Sequence, residues 1–337
     1  MASAEPVAER AEETKASEPE TPPPAPAWAR KDLVDTDVLS SAEMDLILET
    51  AEAMTEVRAR PMSRVATLRG TTVVTLFYEQ STRTRASFEL AAKALGADVV
   101  NIASSSSSVE KGESLIDTVR TLEAIGADLL VLRHPSSGAA TLASRHTGAS
   151  VINAGDGMHA HPTQALLDLY TMRRHLDDLR GAKVVIVGDI LHSRVARSNI
   201  WALRAAGARV VLCGPATLLP RSFSDALESE PCETSTDLDG AIADADVVMA
   251  LRIQRERQEQ GFLPSLREYV QRYQVTEERL ATAQPGVLVM HPGPMNEGIE
   301  VAPDVVRGLR SVVEEQVANG VAVRMAILYL LATARPR

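Results

Sequence analysis

Short apolar runs recur along this chain, each followed by a longer stretch of helical period. TVVTLF (72–77), ADVVNI (97–102), DLLVL (128–132) and SVINA (150–154) form a first series. AKVVIVGD (182–189), ARVVLC (208–213), ADVVMA (245–250) and GVLVMH (286–291) form a second. Continuous apolar runs alternating with amphipathic segments predict buried parallel strands in βαβ units. Two series of four predict an α/β protein of two doubly wound parallel-sheet domains, joined near residue 170 through the helix HPTQALLDLYTMRRHL (161–176). The helix before the first series spaces Met44, Ile47 and Leu48 on one face, with Ser41 as the expected N-cap. A strongly apolar helix over about 312–335 closes the chain and is expected to pack back on the first domain.

Residues 1–30 break this pattern. They are rich in Ala, Glu and Pro and include TPPPAP, so they are expected to form a disordered tail. The expected organisation is therefore the tail, a first domain over 31–170 that takes the C-terminal helix, and a second domain over 171–311. With 337 residues, two domains are the natural prior.

Composition then excludes several classes. A net charge of −10 with no long Lys/Arg run argues against nucleic acid as a partner. Two cysteines, Cys213 and Cys232, allow no disulfide framework and no structural metal cluster, and Cys213 reads as a core thiol. MASAEPVAERAEETK lacks the apolar centre of a signal peptide, and the apolar stretch MAILYLLATA is far short of the roughly 20 residues that span a bilayer. The expectation is a cytoplasmic protein with no membrane partner.

In open α/β sheets ligands lie beyond the carboxyl ends of the strands. The unusual polar residues of this chain fall there. Ser81, Thr82, Arg83, Thr84 and Arg85 follow the first strand, Arg133 and His134 the third, and His161, Thr163 and Gln164 the fourth. Asp189 and Arg194, then Arg252 and Gln254, then His291-Pro292-Gly293-Pro294 follow strands of the second series. Phe88, Ala91, Ala92 and Leu95 continue as a helix face to Gly96, so Ser81–Thr84 form a helix N-terminus. Free N–H groups, the macrodipole, hydroxyls and the Arg83 fork there suit an anion, whereas Arg85 points elsewhere. Each feature has a plainer reading. Ser81 could be an ordinary cap, His161 a cap before Pro162, Arg133 a strand-end ion pair, and RIQRER a solvated charged turn.

The motifs STRTR (81–85), SSSSVEKGESL (105–115), RHP (133–135), HPTQ (161–164), GDILHSRVARS (188–198), LRIQRER (251–257) and HPGP (291–294) occur in this order. Together they resemble the catalytic chains of the aspartate carbamoyltransferase family, within the carbamoyltransferase superfamily, over residues 31–335. RIQRER with HPGP points to aspartate as acceptor; the ornithine-type enzymes typically carry HCLP, where this chain has Pro292. The resemblance implies transfer of a carbamoyl group from carbamoyl phosphate to L-aspartate, an early step of pyrimidine synthesis, with no metal or organic cofactor.

It also implies roles. Ser81, Thr82, Arg83 and Thr84 hold the phosphate. Thr84, Arg133 and His161 contact the carbamoyl oxygen, and Gln164 with the backbone at Pro292 and Gly293 holds the carbamoyl NH2. Arg194, Arg252 and Gln254 take the aspartate carboxylates. Glu79 and Arg257 form ion pairs between the domains on closure, Glu79 also reaching Arg194. Ser107 and Lys111 complete a neighbouring subunit's site, both toward carbamoyl phosphate and Lys111 also toward aspartate, so a homotrimer with shared sites is expected, open to regulatory or dihydroorotase chains. The alternatives are a carbamoyltransferase for ornithine or a derivative, and a non-catalytic paralogue serving in assembly. A dinucleotide-dependent dehydrogenase fits poorly, because VVIVGDILHSR lacks the glycine pattern that admits a pyrophosphate.

Overall fold

The computed structural model describes residues 28–60, 64–103, 113–220, 232–254 and 265–334. The first layered unit contains α1 (Ser41–Ala59), β1 (Thr72–Phe77), α2 (Thr82–Ala94), β2 (Asp98–Ala103), α3 (Leu115–Ala124), β3 (Leu129–His134), α4 (Ala139–Ser144), β4 (Ser150–Asp156) and α5 (Pro162–Arg173). The second has β5 (Lys183–Val187), α6 (Arg194–Ala205), β6 (Arg209–Cys213), β7 (Glu233–Ser235), β8 (Val247–Ala250) and β9 (Leu288–Met290), with short helices between them. Every strand pair in both sheets is parallel. Both faces of such sheets are covered, which is why their strands read as unbroken apolar runs.

The strand orders are β2-β1-β3-β4 and β7-β6-β5-β8-β9. The chain leaves β1 in one direction to β2 and returns on its other side to β3; β5 stands in the same relation to β6 and β8. Each sheet thus has one point where successive connections diverge, and a crevice opens at its carboxyl edge. Among the described residues the second sheet has five strands rather than the expected four. β7 is three residues, Glu-Thr-Ser, paired on one side only to β6, so no apolar run announces it.

Two local expectations shift. The cap of α1 is Ser40, not Ser41: Ser40 Oγ accepts from the Glu43 N–H at 3.2 Å while Glu43 Oε2 accepts from the Ser40 N–H at 2.8 Å. The glutamate three residues on makes Ser40 the position that closes this reciprocal pair. The folded chain also begins before residue 31. Trp28 packs half-buried against the core, and Arg30 pairs with Glu43 at 2.5 Å, so these residues are not part of a tail. Residues 1–27 lie outside the described residues.

The C-terminal helix, Val313–Thr333, is long and apolar enough to cross a membrane by length and composition. Most of it is instead buried against α1, α2 and α5 of the first unit. Helix α5 has no solvent face along Pro162 to Met172, which are all buried, polar Gln164, Asp168 and Thr171 included, against α6, this last helix, β4 and α1. A helix without a solvent face is a core helix. It joins the two units and carries His161 at its head.

Candidate active site

A cleft of about 600 Å³ opens between the carboxyl ends of the two sheets. The first unit supplies Ser81–Thr84, Arg133, His161 and Gln164; the second supplies Arg194, Arg252, Gln254, Pro292 and Gly293. These residues lie at strand ends, and the divergence points of the sheets explain their meeting. β1 and β3 are neighbours, so Arg83 and Arg133 share one crevice. β5 and β8 are neighbours, so the residues after them, Arg194 and Arg252, share the other.

The N-terminus of α2 has the features that suit an anion. Ser81 occupies the N-cap position in an extended conformation, but its side chain makes no capping hydrogen bond, so the plain cap reading fails. No acidic residue stands in the first turn, where the N–H groups have no intrahelical acceptors. Gly293 folds over Arg83: its φ is +63°, and a Cβ there would sit 3.3 Å from the Arg83 Cζ. Arg83 is drawn below its usual range first by burial and then by Arg252, which places the two cations close enough to repel until an anion joins them. Arg85 is exposed and does not line the cleft.

His161 precedes α5 without capping it; its N–H donates to Ser198 Oγ of α6 at 2.9 Å. The imidazole is buried, and its Nδ1 has no hydrogen-bond partner among the described residues. Burial, then Arg133, Arg194 and Arg324, hold its pKa well below the usual histidine range. A neutral ring with an open valence suits hydrogen bonding to a carbonyl oxygen, and it adds no charge to a crowded cationic site.

Among the described residues, five arginines (Arg83, Arg133, Arg194, Arg252 and Arg324) and one carboxylate, Glu79, line the cleft. Glu79 Oε2 lies 2.7 Å from Arg194 Nη2 and 3.1 Å from Arg133 Nε, so it links the end of β3 to the head of α6 across the gap. The same arginines donate to backbone carbonyls, Arg133 to Ala154 at 3.2 Å and Arg194 to Gly157 at 3.2 Å. Fixed by these contacts, their cationic forks are preorganised before any substrate enters.

On the second unit's wall of the cleft Gln254 is held by its backbone, whose N–H points at Asp189 Oδ2 at 3.4 Å. Asp189 also accepts from His192 Nδ1 at 2.8 Å, so it braces the loop as well as ending its strand. Buried Glu300 accepts the Ile253 N–H at 3.0 Å and fixes the same loop from the other side.

His134 stays out of the cleft: its Nδ1 accepts the Ser136 N–H at 3.0 Å and its ring packs on Tyr78. His159 lies between Asp156 and Asp35 and is likewise no part of the cleft. Cys213 is fully buried, which pushes its thiol up to about 12. Ser107, Lys111 and Arg257 lie outside the described residues.

Three participants were not singled out from sequence: Asp168, Gln316 and Arg324. Arg324 interrupts the apolar run VAVRMAIL and is 4% exposed, with its guanidinium 5.2 Å from the Phe88 ring. A lone arginine in a core helix was the available signal, because a charge so placed needs a reason. Asp168 stands one turn after Gln164 in HPTQALLD, the helical spacing that brings two side chains together.

A cationic cleft between two parallel sheets defines a protein suited to small anionic ligands, and comparison with known proteins supplies the class. Residues 31–174 match the family model of the aspartate/ornithine carbamoyltransferase carbamoyl-P binding domain, and residues 180–331 match that of the Asp/Orn binding domain. The chain belongs to the aspartate/ornithine carbamoyltransferase family. It is 60% identical over 313 residues to an aspartate carbamoyltransferase catalytic subunit of Roseiflexus sp., covering 91% of this chain and 98% of that one. A catalytic subunit of the same name from Dehalococcoides mccartyi is 54% identical, covering 90% and 92%. Among solved structures, the aspartate transcarbamoylase of Trypanosoma cruzi in complex with N-(phosphonacetyl)-L-aspartic acid aligns with TM-score 0.81 at 30% identity, covering 91% and 97%. The ornithine carbamoyltransferase of Pyrococcus furiosus aligns with TM-score 0.83 at 29%, covering 92% and 99%. Backbone likeness does not separate the two acceptors; that choice lies in side chains.

Proposed function

We infer that this chain catalyses transfer of the carbamoyl group of carbamoyl phosphate to the α-amine of L-aspartate, yielding N-carbamoyl-L-aspartate and phosphate. The observation that carries the reading is the division of the cleft. A hydroxyl- and N–H-rich helix terminus with Arg83 stands on one wall, and Arg194, Arg252 and Gln254 stand on the other. The first suits a phosphate leaving group, the second two carboxylates.

The amine attacks the carbamoyl carbon, a C–N bond forms, and negative charge gathers on the carbonyl oxygen. Thr84, Arg133 and neutral His161 stabilise that oxygen. When the C–O bond to phosphate breaks, the charge passes to the group held by Ser81, Thr82, Arg83 and Thr84, and the amine's proton leaves with the phosphate. The work is positioning and electrostatic stabilisation, with no covalent intermediate.

The same reading includes a place in pyrimidine biosynthesis, a cytoplasmic location, and a homotrimer in which Ser107 and Lys111 serve an adjacent subunit's site. Arg257 joins Glu79 in domain closure, and regulatory or dihydroorotase chains are partners of the kind such trimers could take. The test is purified protein with carbamoyl phosphate and either L-aspartate or L-ornithine, with ureido product measured by colour. Turnover confined to aspartate is expected. Equal or greater turnover with ornithine overturns the reading.

A further inference from the structure

Asp168 is fully buried in α5, and three side-chain amides converge on its carboxylate. Gln164 Nε2 donates to Oδ1 at 2.8 Å, Gln316 Nε2 donates to Oδ1 at 2.5 Å, and Asn199 Nδ2 donates to Oδ2 at 2.9 Å. The donors come from α5 itself, from the C-terminal helix and from α6 of the second unit. An acceptor-only carboxylate dictates which end of each amide faces it. Gln316 is fixed from its other end as well, since its Oε1 accepts the His291 N–H at 3.1 Å.

The consequence reaches the cleft. Gln164 and the His291-Pro292-Gly293 segment both line it. With its nitrogen on Asp168, Gln164 has its oxygen left as the acceptor for substrate. Through Gln316 the same carboxylate fixes the peptide that leads into Pro292. We propose that Asp168 is the positioning residue that sets the cleft's preference for a carbamoyl NH2 over a methyl group, by holding Gln164 oxygen-outward and, through Gln316, by anchoring the backbone at His291–Pro292. This rests on the assignment of Gln164 and Pro292 to the carbamoyl NH2 under the function proposed above.

The reasoning is one of amide direction. Nitrogen and oxygen of a glutamine side chain are nearly isosteric, so shape alone does not choose between its two orientations. Turning Gln164 over would press two acceptors together at 2.8 Å on a buried carboxylate. An asparagine at 168 can offer its own NH2 instead, which permits the inverted Gln164 and so turns a donor toward the substrate's NH2.

Acetyl phosphate, with CH3 for NH2, is the probe. The ratio of its inhibition constant to the KM of carbamoyl phosphate reports NH2 recognition. Losses in phosphate binding are common to both molecules and cancel. Asp168→Asn is expected to lower this ratio at least tenfold, and Gln164→Ala to lower it as far. The double variant should fall below Gln164→Ala alone by no more than the partial loss of Gln316→Ala, because Asp168 acts through those two amides. Gln316→Ala should lower the ratio in part. Asn199→Ala, which touches only Oδ2, should leave the ratio within twofold of wild type even if stability falls.

An unchanged ratio in Asp168→Asn overturns the inference, and so does an equal collapse in Asn199→Ala, which would mark a merely structural network. Should the Asn variant not fold, Asp168→Ser takes its place, and the Gln316 and Asn199 variants still decide. Wild-type turnover of carbamoyl phosphate with aspartate checks the underlying function separately: its absence refutes that reading, while turnover with an unaltered ratio refutes only the role of Asp168.

Discussion

Gly155 lies near the end of β4 with φ +116°, and its missing side chain is what lets two cationic forks approach the strand. A Cβ at this position would stand 3.0 Å from both Cζ and Nε of Arg194 and 3.2 Å from Nη1 of Arg133. Ordinary contacts begin near 3.4 Å, so Gly155→Ala obliges the Arg194 head to withdraw by about 0.4 Å. Both arginines are tied to carbonyls on this strand or just beyond it and to Glu79, so the withdrawal disturbs the whole set. The positive φ adds a backbone cost of about 1–2 kcal/mol. A misplacement of about 1 Å at a positioning residue can cost on the order of 100-fold in rate. At a few tenths of that displacement the expected result is a fall of roughly tenfold in kcat/KM for aspartate, with a cooperative unfolding transition retained and stability lowered by roughly 1–3 kcal/mol. Steady-state kinetics alongside denaturant unfolding measures both. Wild-type kcat/KM within twofold would refute the claim that close packing on Gly155 sets the arginine positions.

Four further outcomes are expected. Arg133→Ala should cost about 2.7–4 kcal/mol of barrier, on the scale of one lost oxyanion donor, read as kcat under saturating substrates; near-normal kcat would remove Arg133 from that role. His291 is drawn down to about 3, by burial first and then by Arg83 and Arg252, so the folded ring stays neutral where the unfolded one takes a proton near pH 6.5. Its contribution is whole above that pH and is lost as pH falls toward 3, so His291→Asn, which keeps an acceptor for the Gly293 N–H, should lose about 2 kcal/mol less stability than wild type between pH 7 and pH 5; equal losses in denaturant titrations would contradict it. Truncation to residue 31 should lower stability by about 2 kcal/mol through loss of Trp28 packing, whereas truncation to residue 28 should be silent, and unfolding curves that do not separate the two would restore the longer tail. Inactive Arg83→Ala and Lys111→Ala chains, denatured, mixed and refolded, should regain activity at up to about a quarter of sites, since each shared site needs two independent normal halves; no rescue would place Lys111 in its own subunit's site.

Much of the architecture was legible because its causes are local. Apolar runs such as TVVTLF and AKVVIV declare buried parallel strands wherever they pack, and MetxxIleLeu spacing declares the face of α1. The helix N-terminus at Ser81–Thr84, proposed to take an anion, was legible for the same reason: a helix terminus has open N–H groups by its own geometry. Even there the cap of α1 moved by one residue, since two adjacent serines compete and only the distance to Glu43 separates them. β7 and the packing of Trp28 were not legible. A three-residue edge strand and a lone tryptophan carry no period for a pattern to show.

By itself, then, the sequence determined the two series of strands, the chemistry waiting at their carboxyl ends, and the residue types suited to phosphate and carboxylate. What faces what was settled only in three dimensions. The order of strands in each sheet puts β1 beside β3 and β5 beside β8, and so gathers Arg83 with Arg133 and Arg194 with Arg252. Glu79 meets Arg194 across 115 positions, and Asp168 meets Gln316 across 148. Periodicity reports which face of an element is buried, but not which neighbour buries it. That neighbour is chosen by the packing of the whole chain, and with it the orientation of every amide and arginine in the cleft.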